Sequence, residues 1–394
     1  MKDGKILIAG AGLGGLTAAA CLLKAGFDVE IYEQAPQLGE VGAGIQISAN
    51  AGRVMQHIGV LDTLIAAGVT PEEYRFRTFH EGDVLQTIPL GTGYVAKHGV
   101  PYVTIHRADL HSILVDAVRA LKPDAIHVDS AVIGFAEDGD GVTLDVAKRG
   151  RIRADALIGA DGIKSVIRPL IVGPTEAVYS GDVVWRVTVP MEDMPPEMRT
   201  ERTEIWVGPG RHAVTYALRK GTLLNFVGCV EYNKLEEESW VTPRPWVEMH
   251  QDFQGWHPFI TTIIERAPRN ECYRWALKIR KPITNWSSKR ATLLGDSAHP
   301  TLPYMAQGAA MAMEDGAVVA RAFQQAGSVP EAISLYQRNR IERTTRIVNE
   351  SSANRELFHL PRIEDIRNSF AKRDMNAERT AWLFSYDPTA VPLT

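Results

Sequence analysis

The chain has 394 residues, which is long enough for a large hydrophobic core and for two or three folding units. Apolar residues make up 45% of the chain and charged residues 23%, which are the values of an ordinary soluble globular protein. The formal net charge of −4 gives no overall attraction to nucleic acid or to an acidic membrane surface.

The first elements predict the start of an α/β fold. Residues 5–9 form a short apolar run, typical of a strand that is buried on both faces of a parallel sheet. A glycine-rich turn, a helical pattern that stops at Gly26 and a second apolar strand at 29–33 follow. Further along, residues 107–120 have helical periodicity, and residues 152–160 predict another buried strand.

The middle of the chain has a different pattern. From about residue 176 to 275 it is rich in strand patterns that are separated by Gly, Pro and charged turns, and two segments within 74–90 are expected to join the same sheet. The chain then returns to a buried strand at 291–296 and a long helix at about 307–325, and its last third is mainly helical.

The stretch 10–15, GAGLGG, lies between a predicted strand and a predicted helix. Gly10 permits a tight turn, Gly12 lets the backbone approach a pyrophosphate, and Gly15 brings the helix close to the strand. Glu33 ends the second strand about 20 residues on, where an acid accepts hydrogen bonds from a ribose. The motif predicts nucleotide binding without separating FAD from NAD, and the sequence has no second motif of this kind for a nicotinamide cofactor.

Two further motifs each place an aspartate just past the carboxyl end of a predicted buried strand. They are Asp161 in the stretch 159–168, GADGIKSVIR, and Asp296 in the stretch 295–300, GDSAHP. This is the usual ligand-binding edge of an open α/β sheet, where an Asp can accept a ribose hydroxyl. The small residues that begin at Gly308 would let a helix start approach a planar ring. Taken alone, either motif is equally explained as a capped turn.

Together, the three motifs resemble those of the FAD-dependent aromatic hydroxylases, the single-component flavoprotein monooxygenases, over roughly residues 5–350. The stretch 106–110, HRADL, also resembles a motif of this family, in which the arginine, here Arg107, helps to hold the flavin nucleotide. The stretches 41–47, VGAGIQI, and 305–315, MAQGAAMAMED, are similar to those of salicylate hydroxylases, 3-hydroxybenzoate 6-hydroxylases and 6-hydroxynicotinate 3-monooxygenases.

The resemblance and the element pattern predict one fold class. It is an α/β fold with a Rossmann-type FAD-binding core, an inserted and mainly antiparallel β-sheet domain for the substrate, and a helical C-terminal region. The predicted ranges are 1–73, 99–175 and 276–365 for the discontinuous FAD-binding domain, 74–98 and 176–275 for the substrate-binding domain, and 366–394 for a C-terminal segment that covers the core or joins a partner subunit.

The resemblance implies an enzyme in which NADH or NADPH, bound only transiently, reduces FAD. The reduced flavin then adds O₂ to form a C4a-hydroperoxide, which hydroxylates a small aromatic acid. A base near the substrate hydroxyl is expected, because a phenolate is a better nucleophile than a phenol. The helix that begins near Gly308 and Ala309 is expected to direct its dipole at the flavin ring.

Strand alternation in the stretch 212–218, HAVTYAL, places His212 and Tyr216 on one face of a predicted strand, roughly 13 Å apart at about 3.3 Å per residue. The 3-hydroxybenzoate and hydroxynicotinate enzymes resemble this sequence here, with His and Tyr at the matching positions. The resemblance therefore implies that His212 is the base and that Tyr216 forms a hydrogen bond with the substrate. Packing of both side chains within the sheet face is the alternative.

Departures from these relatives affect the substrate side. Gln46 stands where the hydroxynicotinate enzymes have His, Pro303 where the 3-hydroxybenzoate enzymes have Gln, and Tyr304 replaces a His of the hydroxynicotinate type. Arg186 is a candidate partner for the substrate carboxylate, although surface solvation is the more ordinary interpretation. A salicylate 1-hydroxylase, which expels CO₂ from the carboxyl-bearing carbon, is the leading expectation, and the other two activities are the alternatives.

Three rival classes stay open at this point. The first is another flavoenzyme on the same core: an isoprenoid reductase, or a halogenase, whose Trp-x-Trp-x-Ile-Pro signature the stretch 185–190 shares only at its first Trp and last Pro. The second is a non-catalytic FAD-binding sensor, which would show no substrate-stimulated NAD(P)H oxidation. The third is a nicotinamide dehydrogenase, which would be colourless, and the two Asp motifs argue against it.

The remaining features point to small-molecule partners only. Three widely spaced cysteines show no metal-ligand spacing and no disulfide framework. No apolar run reaches the roughly 18 residues of a spanning helix, and the apolar stretch at the amino terminus is too short for a secretory signal. We expect a cytoplasmic monomer or homodimer that binds no nucleic acid, membrane or metal.

Overall fold

The computed structural model describes residues 4–39, 44–232 and 244–394. The first three residues of the stretch 41–47 lie outside the described residues, and so do small parts of the two larger predicted domains. In the part of the chain that is described, no helix is both long and apolar enough to span a bilayer.

The described chain begins with a β-α-β unit and ends in helices. The strands are β1 (Lys5–Ala9), β2 (Asp28–Tyr32), β3 (Gly44–Ile47), β4 (Glu73–Thr78), β5 (Val84–Pro89), β6 (Val103–His106), β7 (Ile126–His127), β8 (Val132–Glu137), β9 (Val142–Val146), β10 (Gly150–Ala154), β11 (Ala156–Gly159), β12 (Val178–Pro190), β13 (Thr203–Gly208), β14 (Arg211–Leu218), β15 (Leu223–Glu231), β16 (Tyr273–Ile279) and β17 (Ala291–Leu293). The α-helices are α1 (Leu13–Lys24), α2 (Ala49–Ile58), α3 (Leu61–Ala67), α4 (Thr92–His98), α5 (Arg107–Leu121), α6 (Arg168–Val172), α7 (Trp246–Asp252), α8 (Pro258–Arg266), α9 (Gly308–Gln325), α10 (Val329–Phe358), α11 (Ile363–Ala371) and α12 (Met375–Glu378). Short 3₁₀ turns and one π-helical turn complete them: Met191–Asp193, Pro196–Met198, Gly295–Ser297, Pro303–Met305 and Arg379–Phe384.

A parallel sheet with the strand order β17-β11-β1-β2-β7 forms the Rossmann-type core. The apolar run of β1 is buried from Ile6 onward, as expected for a strand that is covered on both faces. α1 packs against both α5 and α9, so the helix that follows the glycine turn is itself enclosed by helices. The carboxyl ends of β1, β11 and β17 therefore meet at one edge of the sheet, and the three predicted motifs follow these strands.

A second, larger sheet has the strand order β16-β12-β15-β14-β13-β4-β5. Adjacent strands in this sheet are antiparallel, except for β13 and β4, which are parallel. The segments within 74–90 do join this sheet as β4 and β5, and the fold class that the sequence predicts is confirmed. β16 crosses the predicted domain boundary between residues 275 and 276, because the antiparallel pairing with β12 continues to residue 279.

The two faces of the large sheet have different neighbours. Trp185, Phe226 and other side chains of one face form a hydrophobic cluster with α7 and α8. Val184, Val214 and alternate residues of the same strands point to the opposite face, which is turned toward the core. The sheet thus covers one side of the core and leaves a cavity between the two.

A two-stranded ribbon of β3 and β6 joins the core to the large sheet. Gln46 of β3 pairs with Thr104 of β6, and the Thr104 hydroxyl donates to the carbonyl of Ala217 in β14, at 2.7 Å. β6 continues directly into α5 at Arg107. One ribbon therefore carries residues on both sides of the cavity.

The C-terminal region packs on the core. The Arg53 side chain in α2 donates to the carbonyls of Phe384 and Tyr386, at 2.7 and 3.1 Å. The ring of Tyr386 also lies 3.8 Å from the guanidinium carbon of Arg343 in α10. Of the two roles left open for residues 366–394, covering the core is the one that these contacts show.

Candidate active site

A cavity of about 320 Å³ lies between the carboxyl edge of the core sheet and the large sheet. The glycine turn after β1, the ribbon strand β3, four strands of the large sheet and the start of α9 all contribute to its wall. A second cavity of about 220 Å³ lies beside Glu33, and Gly12 lines both cavities. The two cavities thus meet at the glycine turn, which suits an elongated ligand.

The glycine turn admits no larger residue at two of the predicted positions. Gly10 has φ +100°, and a Cβ added to it would stand 2.6 Å from the carbonyl oxygen of Ala160. A Cβ at Gly15 would collide with the carbonyl oxygen of Gly10. Gly12 has no atom within 4 Å of the position of a Cβ, which leaves its backbone open to a ligand. The geometry at Gly10 and Gly15 agrees with the turn and packing roles that the motif predicts, and the approach of Gly12 to a pyrophosphate stays a prediction.

Glu33 holds the turn from the adjacent strand. Its Oε2 accepts a hydrogen bond from the Ala11 N–H at 2.8 Å, and its Oε1 accepts one from the Ala35 N–H at 2.9 Å. On the other side of the turn, Nε2 of His111 lies 2.9 Å from the Ala11 carbonyl. Glu33 also lines the second cavity, so its carboxylate is within reach of a ligand there. A role toward a ribose stays a prediction.

The two predicted aspartates differ in position. Oδ2 of Asp161 accepts hydrogen bonds from the N–H groups of Val166 and Ile167, at 2.8 and 3.2 Å, and Asp161 does not line the cavity. Oδ2 thus caps the turn, whereas Oδ1 is buried with no hydrogen-bond partner among the described residues, so a role of Asp161 toward the nucleotide stays a prediction. Asp296, in contrast, lines the cavity. Burial by the surrounding protein raises the pKa of its carboxyl group, and the charges of His299 and Arg107 partly oppose that shift.

Arg107 and the start of α9 also contribute to the cavity wall. Arg107 is the first residue of α5 and lines the cavity, and burial lowers the pKa of its guanidinium while Asp296 opposes that shift. Gly308 and Ala309 line the cavity as the first two residues of α9. The N–H groups of a first helical turn have no intrahelical acceptor, so this end of α9 offers donors and a positive dipole end to the cavity.

A cluster of buried charges fixes the loop that carries Asp296. We call Glu314, Asp315 and Arg340 the buried charge cluster; the side chains of all three are fully buried. Oδ2 of Asp315 accepts from the Gly295 N–H at 3.0 Å and lies 2.6 Å from Nε2 of His299. Arg340 pairs with both carboxylates, at 2.6 Å to Asp315 and 2.7 Å to Glu314.

The pKa of Asp315 follows from these contacts. Burial by itself raises it, but the charges of His299 and Arg340 and their hydrogen bonds outweigh burial and bring the pKa to about 2. Asp315 is therefore ionised within the protein interior. His299 thus stabilises the loop. Arg340 has no sequence signal, because its partners lie 25 and 26 residues earlier in the chain.

Of the residues that the sequence suggests for the substrate, Tyr216, Gln46 and Pro303 line the cavity, and their contact with a substrate stays a prediction. Burial raises the pKa of Tyr216 to about 12, with a smaller opposite contribution from a hydrogen bond with Gln46. Oε1 of Gln46 accepts from the Tyr102 hydroxyl at 2.6 Å. A Cβ at Gly44 would collide with the ring of Tyr216, so the glycine at the start of β3 makes room for this tyrosine.

The structure corrects the expectation for Tyr304. Its ring is buried and does not line the cavity, and its hydroxyl donates to Oδ2 of Asp182 at 2.7 Å. The hydroxyl is thus engaged within the protein and cannot bind the substrate. The sequence cannot show this partner, because Asp182 precedes Tyr304 by 122 residues.

His212 lies deeper than the sequence suggests. It is on the same face of β14 as Val214 and Tyr216, but it is only 2% exposed and does not line the cavity. Its Nδ1 lies 2.8 Å from Nε2 of His359, and its ring centroid lies 4.7 Å from that of Tyr304. Burial, with a smaller contribution from His359, brings the pKa of His212 well below 6.5, so its imidazole is neutral.

Arg186 is not a surface residue. It lines the cavity, and its guanidinium carbon lies 5.3 Å from the ring centroid of Trp275, which lines the cavity as well. Its Nε is buried, with no hydrogen-bond partner in the described part of the chain. Arg219, which follows β14 directly, is in contrast exposed and pairs with Asp109 at 3.0 Å.

The fold and the cavity define a class of protein. The glycine turn of a Rossmann-type sheet lies open to the cavity, and a separate sheet forms the opposite wall. This is the arrangement of a dinucleotide-binding enzyme with its own substrate pocket.

Comparisons with known proteins give the family. A family model described as FAD binding domain matches residues 3–351. The chain is 36% identical over 391 residues to a 3-hydroxybenzoate 6-hydroxylase of Polaromonas naphthalenivorans, covering 98% of this chain and 96% of that protein. It is 35% identical over 395 residues to a 6-hydroxynicotinate 3-monooxygenase of Pseudomonas fluorescens, covering 99% and 96%. The solved structure of Klebsiella pneumoniae HpxO complexed with FAD and uric acid has a TM-score of 0.84 at 26% identity, covering 95% and 94%.

The chain belongs to the family of FAD-dependent aromatic-ring monooxygenases, which use NAD(P)H as the co-substrate. The resemblance found in the sequence is thereby confirmed, as are the fold class and the cofactor. The sensor and dehydrogenase alternatives are not supported.

Proposed function

We propose that this enzyme hydroxylates a small aromatic acid that carries a ring hydroxyl, with NAD(P)H and O₂ as co-substrates. The observation that supports the acid is the cationic side chain of Arg186 in a wall that Val184, Val214, Leu277 and Trp275 make largely apolar. An anionic group entering such a wall needs a charged partner, because burying an unpaired charge is costly. Arg186 supplies that partner to a substrate carboxylate.

The residues around the joined cavities fit FAD. Gly12 leaves its backbone open where the two cavities meet, as the pyrophosphate of an elongated dinucleotide requires. We assign Glu33 to the ribose end, and Arg107, Asp296 and the start of α9 to the flavin end. Bound FAD supplies the redox chemistry and the activation of O₂. The protein binds and orients both partners and excludes water.

Tyr216 acts as a hydrogen-bond donor in this scheme. Its pKa of about 12 keeps the hydroxyl protonated at neutral pH, so it orients the substrate and does not remove a proton. Gln46 and Tyr102 support it from the ribbon. The apolar residues of the large sheet exclude water from the reacting ring, which strengthens the polar contacts inside the cavity.

The ring substrate is narrowed by the relatives. The two relatives described above are named for 3-hydroxybenzoate and 6-hydroxynicotinate, so we place these two compounds ahead of salicylate, the leading expectation from the sequence. Pro303 lines the cavity, and the sequence differs here from the 3-hydroxybenzoate enzymes that it resembles. The substrate panel must therefore include all three acids.

The test is NADH and NADPH oxidation by the FAD-loaded enzyme over hydroxybenzoates and hydroxypyridine carboxylates, with product and CO₂ analysis. We expect one acid to stimulate oxidation and to yield a hydroxylated product. CO₂ release from salicylate would restore the salicylate assignment. Oxidation that no aromatic acid stimulates would refute the proposal.

A variant pair tests the carboxylate partner. Arg186→Gln removes a hydrogen bond to a charged group, worth about 1.5–3 kcal/mol, so KM for the acid should rise about 10- to 100-fold. Arg219→Gln is the matched control, because Arg219 is an exposed arginine that pairs with Asp109 and does not line the cavity. Equal KM values for the two variants would contradict the role of Arg186.

A further inference from the structure

Three side chains form a series of contacts from the buried His212 on the large sheet to the protein surface. His212 lies 2.8 Å, Nδ1 to Nε2, from His359, which follows α10 directly. Nδ1 of His359 lies 3.2 Å from Oε1 of Glu231 at the end of β15. His212 and His359 are 2% and 5% exposed, whereas the Glu231 side chain is 41% exposed. We call these residues the His–His–Glu chain.

The backbone fixes the three residues of the chain. The carbonyl of His359 accepts from the Gly210 N–H at 3.1 Å, and the Glu231 N–H donates to the Gly210 carbonyl at 2.9 Å. His212 pairs across the sheet with Cys229, two residues before Glu231. The spacing of the three side chains is thus set by the sheet and by the end of α10.

The carboxylate determines the direction of the hydrogen bonds. An ionised carboxylate only accepts, so the proton of the Glu231 contact lies on Nδ1 of His359. When Nε2 of His359 carries no proton, it accepts, and His212 donates from its Nδ1. Nε2 of His212 is left with its lone pair, and it has no hydrogen-bond partner in the described part of the chain.

We propose that Glu231 and His359 are positioning residues that hold His212 with an unprotonated Nε2 and carry its proton to the surface. The inference rests on the proposed function, in which the substrate hydroxyl loses its proton before the ring is attacked. His212 does not itself line the cavity, but it lies on the same strand face two residues before Val214, which does, so the proposal requires the substrate proton to pass from that part of the cavity to Nε2 of His212.

The proton transfers balance without an oxidant or a reductant. The O–H bond of the substrate breaks, its electron pair stays on the oxygen, and an N–H bond forms at Nε2 of His212. The Nδ1 proton of His212 then passes to Nε2 of His359. Finally, the Nδ1 proton of His359 passes to Glu231 and from there to water.

The surrounding charges favour this route. Asp182 of β12 pairs with Arg355 of α10 at 2.8 Å and accepts from the Tyr304 hydroxyl, so its charge is already compensated. Arg355 also lies 3.4 Å from Glu231, which reaches the surface. A positive charge passing through His359 is stabilised by the negative end of the α10 dipole. Cys229, the other titratable group beside His212, has a raised pKa because it is buried, so its thiol stays neutral.

The kinetic test uses His359→Phe and Glu231→Gln in the FAD-loaded enzyme. We expect hydroxylation at neutral pH to fall about 10-fold in His359→Phe, with unchanged KM and FAD content, and less in Glu231→Gln, whose amide still accepts. The loss should shrink as the pH rises toward ionisation of the free substrate, because the phenolate then needs no acceptor. Glu356→Gln, an exposed change on α10, is the control and should match the wild type. Variant and wild-type pH profiles of the same shape and height would overturn the proposal.

A second measurement needs no turnover. Nitrogen NMR of histidine-labelled, FAD-loaded enzyme reports which ring nitrogen carries the proton, and the signals of His212 are assigned by their loss in His212→Phe. We expect a proton on Nδ1 and none on Nε2. A protonated Nε2 would overturn the proposal whatever the activity. A failure of the wild type to hydroxylate any acid would instead refute the proposed function.

Discussion

The buried charge cluster gives a prediction whose size follows from its contacts. Arg340→Met removes the cation that lies 2.6 Å from Asp315 and 2.7 Å from Glu314, while Arg343 and His299 keep one carboxylate each. Breaking a buried ion pair by removing one partner costs about 3–5 kcal/mol, because the remaining partners compensate the two buried carboxylates only in part. For a chain of 394 residues the unfolding entropy is about 0.8 kcal/mol/K, so the melting midpoint should fall by about 4–6 °C.

Calorimetry of the FAD-loaded enzyme measures this shift. Arg346→Met is the matched control on the same helix, because the Arg346 side chain is 52% exposed and its ion pair with Glu350 lies at the surface. Such a pair contributes about 0–1 kcal/mol, which corresponds to a midpoint change of about 1 °C or less. If Arg340→Met melts within about 1 °C of the wild type, the reasoning about the cluster is wrong.

Two further predictions concern the cofactor and acid stability. Asp296→Ala should weaken FAD binding about 10-fold or more in a flavin-fluorescence titration, because a charged acceptor leaves the cavity wall; an unchanged Kd would remove Asp296 from the cofactor site. The pKa of Asp315, about 2 in the folded protein, lies below its unfolded value of about 4, so its stabilisation is complete above about pH 4 and is lost as the pH falls toward 2. Melting midpoints between pH 5 and 3 should therefore fall more steeply in the wild type than in Asp315→Asn, and parallel slopes would contradict the assigned ionisation.

The local part of the site could be predicted from the sequence. The restrictions at Gly10 and Gly15 and the position of Asp296 each depend on a strand, a turn and a helix within a few residues. Asp161 shows the limit of that reasoning, because the same local pattern also builds a capped turn, and the hydrogen bonds to Val166 and Ile167 are those of the cap.

The rest depends on contacts between distant segments. Strand alternation puts His212 on the correct strand face, but its depth is set by His359, 147 residues later in the chain. The position of Arg186 is set by Trp275, which belongs to a neighbouring strand about 90 residues on. Strand alternation gives the face of a side chain; it does not give what covers that side chain.

The ribbon of β3 and β6 has a consequence for how the enzyme can change. Gln46, next to Tyr216, and Arg107, on the nucleotide side, belong to one hydrogen-bonded unit that is also tied to β14 through Thr104. A substitution that moves this unit to fit a larger ring therefore also displaces Arg107, the residue that we assign to the flavin end. The side chains of β12 and β16 that face the cavity do not belong to this unit, so we expect substitutions there to change substrate preference with less effect on FAD binding than substitutions on the ribbon.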